Sequence, residues 1–260
     1  MESSGMRDGN EWRHARFACV TGTDVAKILG VDSSVSRRRL FACKLAHADP
    51  TCNAGPFLRN LLQLGKVYEP AARDDFITQM HRETYPLCPA PLYVVPGMEA
   101  HRGYSWITGT PDLFICDSAT GNVRNIVEIK CHFYPDPLQA TPYLSTADLP
   151  LKHWLQVQTY MEIKNVETGH LWSWTLRNGA TLFNIRRMKN TVWNQCIFPA
   201  MNQFHDILTT FYDRNRPVIA PRVALEHLTF NRGEKEAINR ILKREFDDTV
   251  TSCKRYLHTS

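Results

Sequence analysis

The eight cysteines, at positions 19, 43, 52, 88, 116, 131, 196 and 253, include no CxxC pair. That spacing argues against a zinc knuckle. A chain of 260 residues can also build a core without disulfide staples, so the thiols read as reduced and mostly buried. No apolar run approaches the roughly 18 residues needed to span a bilayer, so no membrane partner is expected. The first fifteen residues hold Glu2, Arg7, Asp8, Glu11 and Arg13 and no apolar stretch. A secretory signal is therefore not expected, and the chain is expected in the cytoplasm, the nucleus or a viral replication compartment. Internal repeats and low-complexity linkers are missing too. One domain over residues 1–260 is the simplest expectation, with 1–10 a loose tail and 215–260 a C-terminal helical extension. Neither sign of charge is in large excess: 31 Lys and Arg against 26 Asp and Glu leave a formal +5. That balance permits nucleic acid as a partner without requiring it.

What is present is a change of pattern along the chain. Thr21 with Asp24 three residues on, closed by Gly30, predicts a short capped helix over 21–29. A second helix is predicted over 34–46. Apolar residues at 57, 58, 61, 62, 64, 68, 72 and 76 predict a long one over 57–80, in which Pro70 should kink or restart the backbone. The middle turns β-branched and aromatic, predicting strands over 92–95, 112–116 and 125–131. A helix over 149–163 follows. Strands over 170–175 and 181–188 flank Asn178-Gly179, a hairpin signal, and helices over 192–212 and 234–246 close the chain. The sum is an α/β (α+β) fold with one central sheet flanked by helices.

Chemistry concentrates between Asp112 and Lys130. Asp117 to Asn122 is a cluster of turn formers between two apolar runs, so the segment reads as a hairpin. With the turn centred on Thr120, Asp112 faces Glu128, and opposed Cβ atoms lie roughly 4.5–5.5 Å apart. Two carboxylates so close repel unless a cation separates them. Lys130, two residues after Glu128, projects from the same face. Carboxylate oxygens suit Mg²⁺, with water and a substrate phosphate completing its shell. A structural acid–lysine pair at a sheet edge is the alternative reading of this spacing.

Asp112 followed after fifteen residues by Glu128-Ile129-Lys130 resembles the PD-(D/E)XK nuclease motif, with Pro111-Asp112 as its first half. More of the chain is similar to the lambda-exonuclease-like family (YqaJ-type viral recombinases, related to herpesvirus alkaline nucleases). Trp12 and Arg16 before Val20-Thr21-Gly22-Thr23-Asp24-Val25 match its N-terminal segment. Gly65 to Glu69 with Ala72-Arg73 match its acidic helix. Gly109 to Asp112 and Glu128 to Cys131 match its core, and Leu155 to Gln158 the helix beyond. The resemblance runs in order from about residue 12 to 210. It departs between Tyr93 and Gly109, and an acid that lambda exonuclease carries just upstream of the core motif has no counterpart.

The resemblance implies a restriction-endonuclease-like core and a set of roles. Asp112, Glu128 and the carbonyl of Ile129 would hold Mg²⁺, or Mn²⁺ in its place, while Lys130 would hold the attacking water. Glu69 would complete the acidic cluster; alone it reads as an exposed helix acid, although Gly65, Glu69 and Arg73 share a helix face and the small Gly65 could let that face approach the sheet. Gln156 would contact the site's waters or the scissile phosphate; alone it is a polar position on an amphipathic helix. Arg16 and Thr23, Thr standing where the family has Ser, would bind a terminal 5′-phosphate, a bidentate pairing with a hydroxyl donor beside it. The implied activity is 5′→3′ digestion of one strand of double-stranded DNA, leaving a 3′ overhang for a single-strand annealing protein, by a monomer or a homotrimer. An endonuclease of the same fold acting on DNA or RNA, or a catalytically silent DNA-binding recombination partner, are the alternatives.

Overall fold

The computed structural model describes residues 16–48, 55–84, 90–134, 136–212 and 229–257. The N-terminal tail, Trp12, Cys52, Cys88 and the first part of the 215–260 extension lie outside them.

Strand β1 (Val20–Thr21) leads into α1 (Gly22–Ile28), and α2 (Arg37–Leu45) and α3 (Pro56–Thr84) follow. The capping box read from the sequence is present: Thr21 and Asp24 close the start of α1 reciprocally. Helix α3 passes unbroken through Pro70, so the restart expected there does not occur. The proline removes one intrahelical bond. Burial of Ala72 and Phe76 on the following turns holds the helix regardless.

Then come β2 (Leu92–Val94), β3 (Glu99–Ala100), β4 (Ile107–Gly109), β5 (Leu113–Cys116) and β6 (Val123–His132). Helix α4 (Leu151–Lys164) connects β6 to β7 (Thr168–Thr175), which turns into β8 (Ala180–Arg186). Gly179, at φ 81°, occupies the left-handed region that the tight β7–β8 turn demands. A Cβ there would meet the Tyr256 carbonyl at 2.1 Å. A π turn at Trp193–Ile197 precedes α5 (Phe198–Tyr212), and the chain ends with α6 (Arg232–Thr249) and β9 (Val250–Tyr256). Here an expectation needs correcting. The C-terminal extension is not only helical, because β9 pairs antiparallel with β8 and completes the sheet.

The main sheet runs β2-β5-β6-β7-β8-β9, and a small one runs β1-β4-β3. All pairs in the main sheet are antiparallel except β6–β7, as the helical crossover between those two strands requires. The sheet is mixed and covered on both faces. Alternation along its strands sorts the core: Val127, Ile129, Trp172 and Leu182 pack with Ala72 and Phe76 of α3. Ile126, Leu171 and Phe183 pack with Leu155 and Val157 of α4, Phe204 of α5 and Phe246 of α6. Glu128 and Lys130 alternate with the first set, and so belong to the α4 face. No described helix is long and apolar enough to cross a membrane.

Candidate active site

The β5–β6 hairpin has the register read from the sequence. Leu113 pairs with Val127 and Phe114 with Ile126, which sets Asp112 opposite Glu128. A bulge after Ile115 shifts only the far, turn end. The Asp112 N–H donates to the Val127 carbonyl at 3.1 Å. Its carboxylate accepts from the Ile129 N–H at 2.7 Å. In an extended strand a residue's N–H and C=O point the same way, so the Ile129 carbonyl faces the Asp112 side too.

Glu128 is 3% exposed, and its two oxygens differ. Oε1 accepts from Lys130 Nζ at 2.5 Å and from Gln156 Nε2 at 2.7 Å. Oε2 is buried with no hydrogen-bond partner. Asp112 and Glu128 lie within hydrogen-bonding reach of each other, yet as ionised groups both only accept. Burial, then Glu128, then Glu69 push the Asp112 pKa well above the usual carboxylate range. Burial raises Glu128 as well, even against the opposing pull of Lys130. Burial lowers Lys130, but Glu128 and Asp112 outweigh it and hold the ammonium above its ordinary value. A half-buried acid and a buried one crowd together here, the buried one with an orphaned oxygen.

That is what a hard cation would relieve, and the donors fit one: two carboxylates and a carbonyl, all oxygen. Among the described residues no three His, Cys, Asp or Glu side chains converge closely enough to hold an ion alone. The remaining positions would therefore fall to water and substrate, as Mg²⁺ sites commonly arrange. Glu69 accordingly stays outside an ion-holding cluster. It comes from α3 on the opposite face, lines the same cavity and accepts from Arg73 at 2.7 Å. Gly65 does not bring that face closer, since a Cβ there would meet nothing within 4 Å.

Gln156 lines the same cavity and is tied to the site's own side chains. Its two amide protons go to Glu128 and, at 2.9 Å, to the Tyr160 hydroxyl. Its oxygen accepts from Lys130 at 3.1 Å. The amide is a strut that fixes the glutamate and the lysine relative to each other. Tyr160, one helical turn on, was not singled out in the sequence. Its ring fills the space left by two glycines, and a Cβ on Gly22 or Gly109 would come within 2.5 or 2.4 Å of it. The i, i+4 spacing of Gln156 and Tyr160 on one helix was the available signal.

A cavity of about 360 Å³ joins these groups to Arg16, Thr21, Thr23, Lys66, Thr108 and Thr110. Arg16 Nη2 donates to Thr23 Oγ1 at 3.3 Å, so the residues expected at a terminal phosphate do meet, in the same cavity as Asp112 and Glu128. All seven residues singled out for chemistry or phosphate binding by their side chains thus gather in one place.

A family model for the YqaJ-like viral recombinase domain matches residues 11–170. Among solved structures the chain is similar to an alkaline exonuclease (LHK-Exo) from Laribacter hongkongensis, at 18% identity and TM-score 0.57, over 91% of this chain and 99% of that one. LHK-Exo in complex with dAMP gives 17% identity and TM-score 0.53 over the same shares. Curated proteins offer no match. Likeness at such identities concerns the fold, a mixed sheet between helices as found in that nuclease. With more than half its length matched in sequence, the chain belongs to the YqaJ-like viral recombinase domain family.

Proposed function

We propose that this protein is a divalent-metal-dependent deoxyribonuclease, one nuclease domain that digests duplex DNA from 5′ ends into 5′-phosphorylated products and leaves a 3′ single-stranded overhang. One observation carries the reading: half-buried Asp112 faces buried Glu128 beside Lys130, with Glu128 Oε2 unpartnered. Family membership and the fold of an exonuclease crystallised with dAMP support a DNA substrate.

Asp112, Glu128 and the Ile129 carbonyl would hold Mg²⁺, or Mn²⁺, both of which accept oxygen ligands. Such an ion supplies a water of lowered pKa and stabilises charge on the phosphate. Lys130, held between Glu128 and Gln156, would orient the attacking water or help deprotonate it and offset growing negative charge. Glu69 adds negative charge at the α3 rim, where it would anchor further waters. Arg16 would seat a terminal 5′-phosphate through charge-assisted hydrogen bonds, with Thr23 beside it holding the guanidinium. A strand end held there meets the acids at a fixed distance, which is the physical source of polarity. The overhang left behind would suit a single-strand annealing protein.

The test is digestion of blunt linear duplex and of a covalently closed circle, each with Mg²⁺ or with EDTA. The linear duplex should be shortened from its 5′ ends only with metal, and the circle should survive. Cleavage in EDTA would remove the metal from the reading, and cutting of the circle would make the enzyme an endonuclease.

A further inference from the structure

A second buried acid–lysine pair lies behind the Arg16–Thr23 edge of the cavity. Lys44, on α2, is 4% exposed, and its ammonium group is enclosed by acceptors. It donates to the Arg16 carbonyl at 2.8 Å and the Cys19 carbonyl at 2.6 Å, and pairs with Asp24 Oδ2 at 2.9 Å. Asp24, 5% exposed, also accepts from the Thr21 N–H at 2.9 Å and the Thr21 hydroxyl at 2.7 Å. Thr21 Oγ1 lies 3.0 Å from Thr23 Oγ1.

The direction of each proton in this chain follows. Burial works against the Asp24 charge, but Lys44, Lys27 and the Thr21 bonds prevail and hold its pKa at about 2. The carboxylate is therefore an acceptor only. Thr21 gives its single hydroxyl proton to Asp24, so toward Thr23 it can only accept. Thr23 must donate to Thr21, which leaves a Thr23 lone pair turned to the Arg16 guanidinium. Lys44 thus fixes Arg16 at its backbone and, through Asp24 and Thr21, at its guanidinium contact. Its charge also cancels that of Asp24, which lies one residue from Thr23 and would otherwise repel an anion arriving there.

We propose that Lys44, acting with Asp24, is a positioning residue that presets Arg16 for a terminal 5′-phosphate, directly at its backbone and through the Thr23 hydroxyl that accepts from its guanidinium, and so sets the preference for phosphorylated ends. This rests on the phosphate pocket proposed above.

Binding separates this role from general support. The full-length protein in EDTA is titrated with a blunt duplex carrying either 5′-phosphate or 5′-hydroxyl ends, and the ratio of the two Kd values is measured. Loss of one charge-assisted contact corresponds to roughly tenfold or more, so Lys44→Met should lower the ratio about tenfold. Damage to the fold alone would weaken both ligands and leave the ratio in place. If Lys44→Met does not fold, the double variant Lys44→Met/Asp24→Asn, which strands no buried charge, is read by the same ratio. A ratio within about twofold of the unsubstituted protein's overturns the proposal. A wild-type protein that binds both ends equally removes the phosphate pocket itself, and this inference with it, so the two failures are distinguishable.

Discussion

Glu128–Lys130 and Asp24–Lys44 are both carboxylate–ammonium pairs with a buried acid, the lysine buried in the second and half-buried in the first, and they are opposite in character. Around Asp24, Oδ2 takes Lys44 and both Thr21 donors, no atom of either side chain is buried without a partner, and the carboxyl is held at about 2. Around Glu128 the balance fails: a second acid crowds it, one oxygen is orphaned, and both acids are raised. A buried ion pair contributes net stability only when the remaining lone pairs and protons are also satisfied. The satisfied pair is scaffold, and the unsatisfied pair is strained toward something it lacks. The proposed chemistry lies at the second.

The sharpest separation is in rate. Lys130→Ala should lower cleavage about 10²–10⁴-fold, the usual scale for a positioned proton donor or charge, while DNA still binds. Single-turnover digestion of a labelled duplex checks it, and near-normal cleavage would make Lys130 no more than a structural partner of Glu128. Lys44→Met should act on stability instead. It leaves Asp24 buried without its counter-ion, at a cost of roughly 3–5 kcal/mol read by urea denaturation. A loss much below that would mean water reaches Asp24 and the pair is less enclosed than its geometry indicates.

Metal should distinguish the pairs next. Ligand that binds only the folded state stabilises by about 2.7 kcal/mol at a hundredfold its Kd. Thermal melts with added Mg²⁺ or Ca²⁺ should therefore rise in the wild-type protein and in Asp24→Asn, and should not rise in Asp112→Asn. An equal rise in all three would place the ion elsewhere.

How much of this could be read from sequence divides along the same line. Asp112 and Glu128 are tied by a short turn, and a turn fixes register, so their encounter was legible before any coordinates. Thr21 and Asp24 are local in the same way. Lys44, by contrast, reaches Arg16 across 28 residues and Asp24 across 20. Nothing in a run of basic residues tells a buried lysine from a solvated one. Tyr160 escaped notice because its importance lies in what it packs against, Gly22 and Gly109, which only the fold brings together. Strands β1, β3 and β4 have two or three residues each, too few for a period of two to register. Strand β9 is exposed along most of its length and has no alternation of apolar residues, so nothing in Val250 to Tyr256 marked it as a strand.

Acid should act on the scaffold pair in a defined window. The folded Asp24 pKa of about 2 lies below its ordinary 3.8. Its contribution, roughly 2 kcal/mol, is thus fully present above pH 4 and is lost as pH falls toward 2. Asp112 and Glu128 run the other way, because their raised values make ionisation unfavourable in the folded chain, and protonation relieves them. Urea midpoints between pH 6 and pH 3 should therefore fall less steeply in Asp24→Asn than in the wild-type protein. Parallel curves would mean that Asp24 is not the group that titrates.

The smallest effect is the most discriminating, because its sign is opposite to intuition. Asp112→Asn removes a residue from the centre of the site, and for a structural acid that should destabilise. Here the substituted amide would keep an oxygen for the Ile129 N–H and would offer a proton to the Glu128 oxygen that has no partner. It would also delete one of two crowded charges. In metal-free buffer the variant should melt a few degrees above the wild-type protein while cleaving no DNA with Mg²⁺ present. Stability given up for function is expected where groups are held for a ligand instead of for each other. A lower melting temperature would mean that Asp112 supports the fold as Asp24 does, and the contrast between the two pairs would fail.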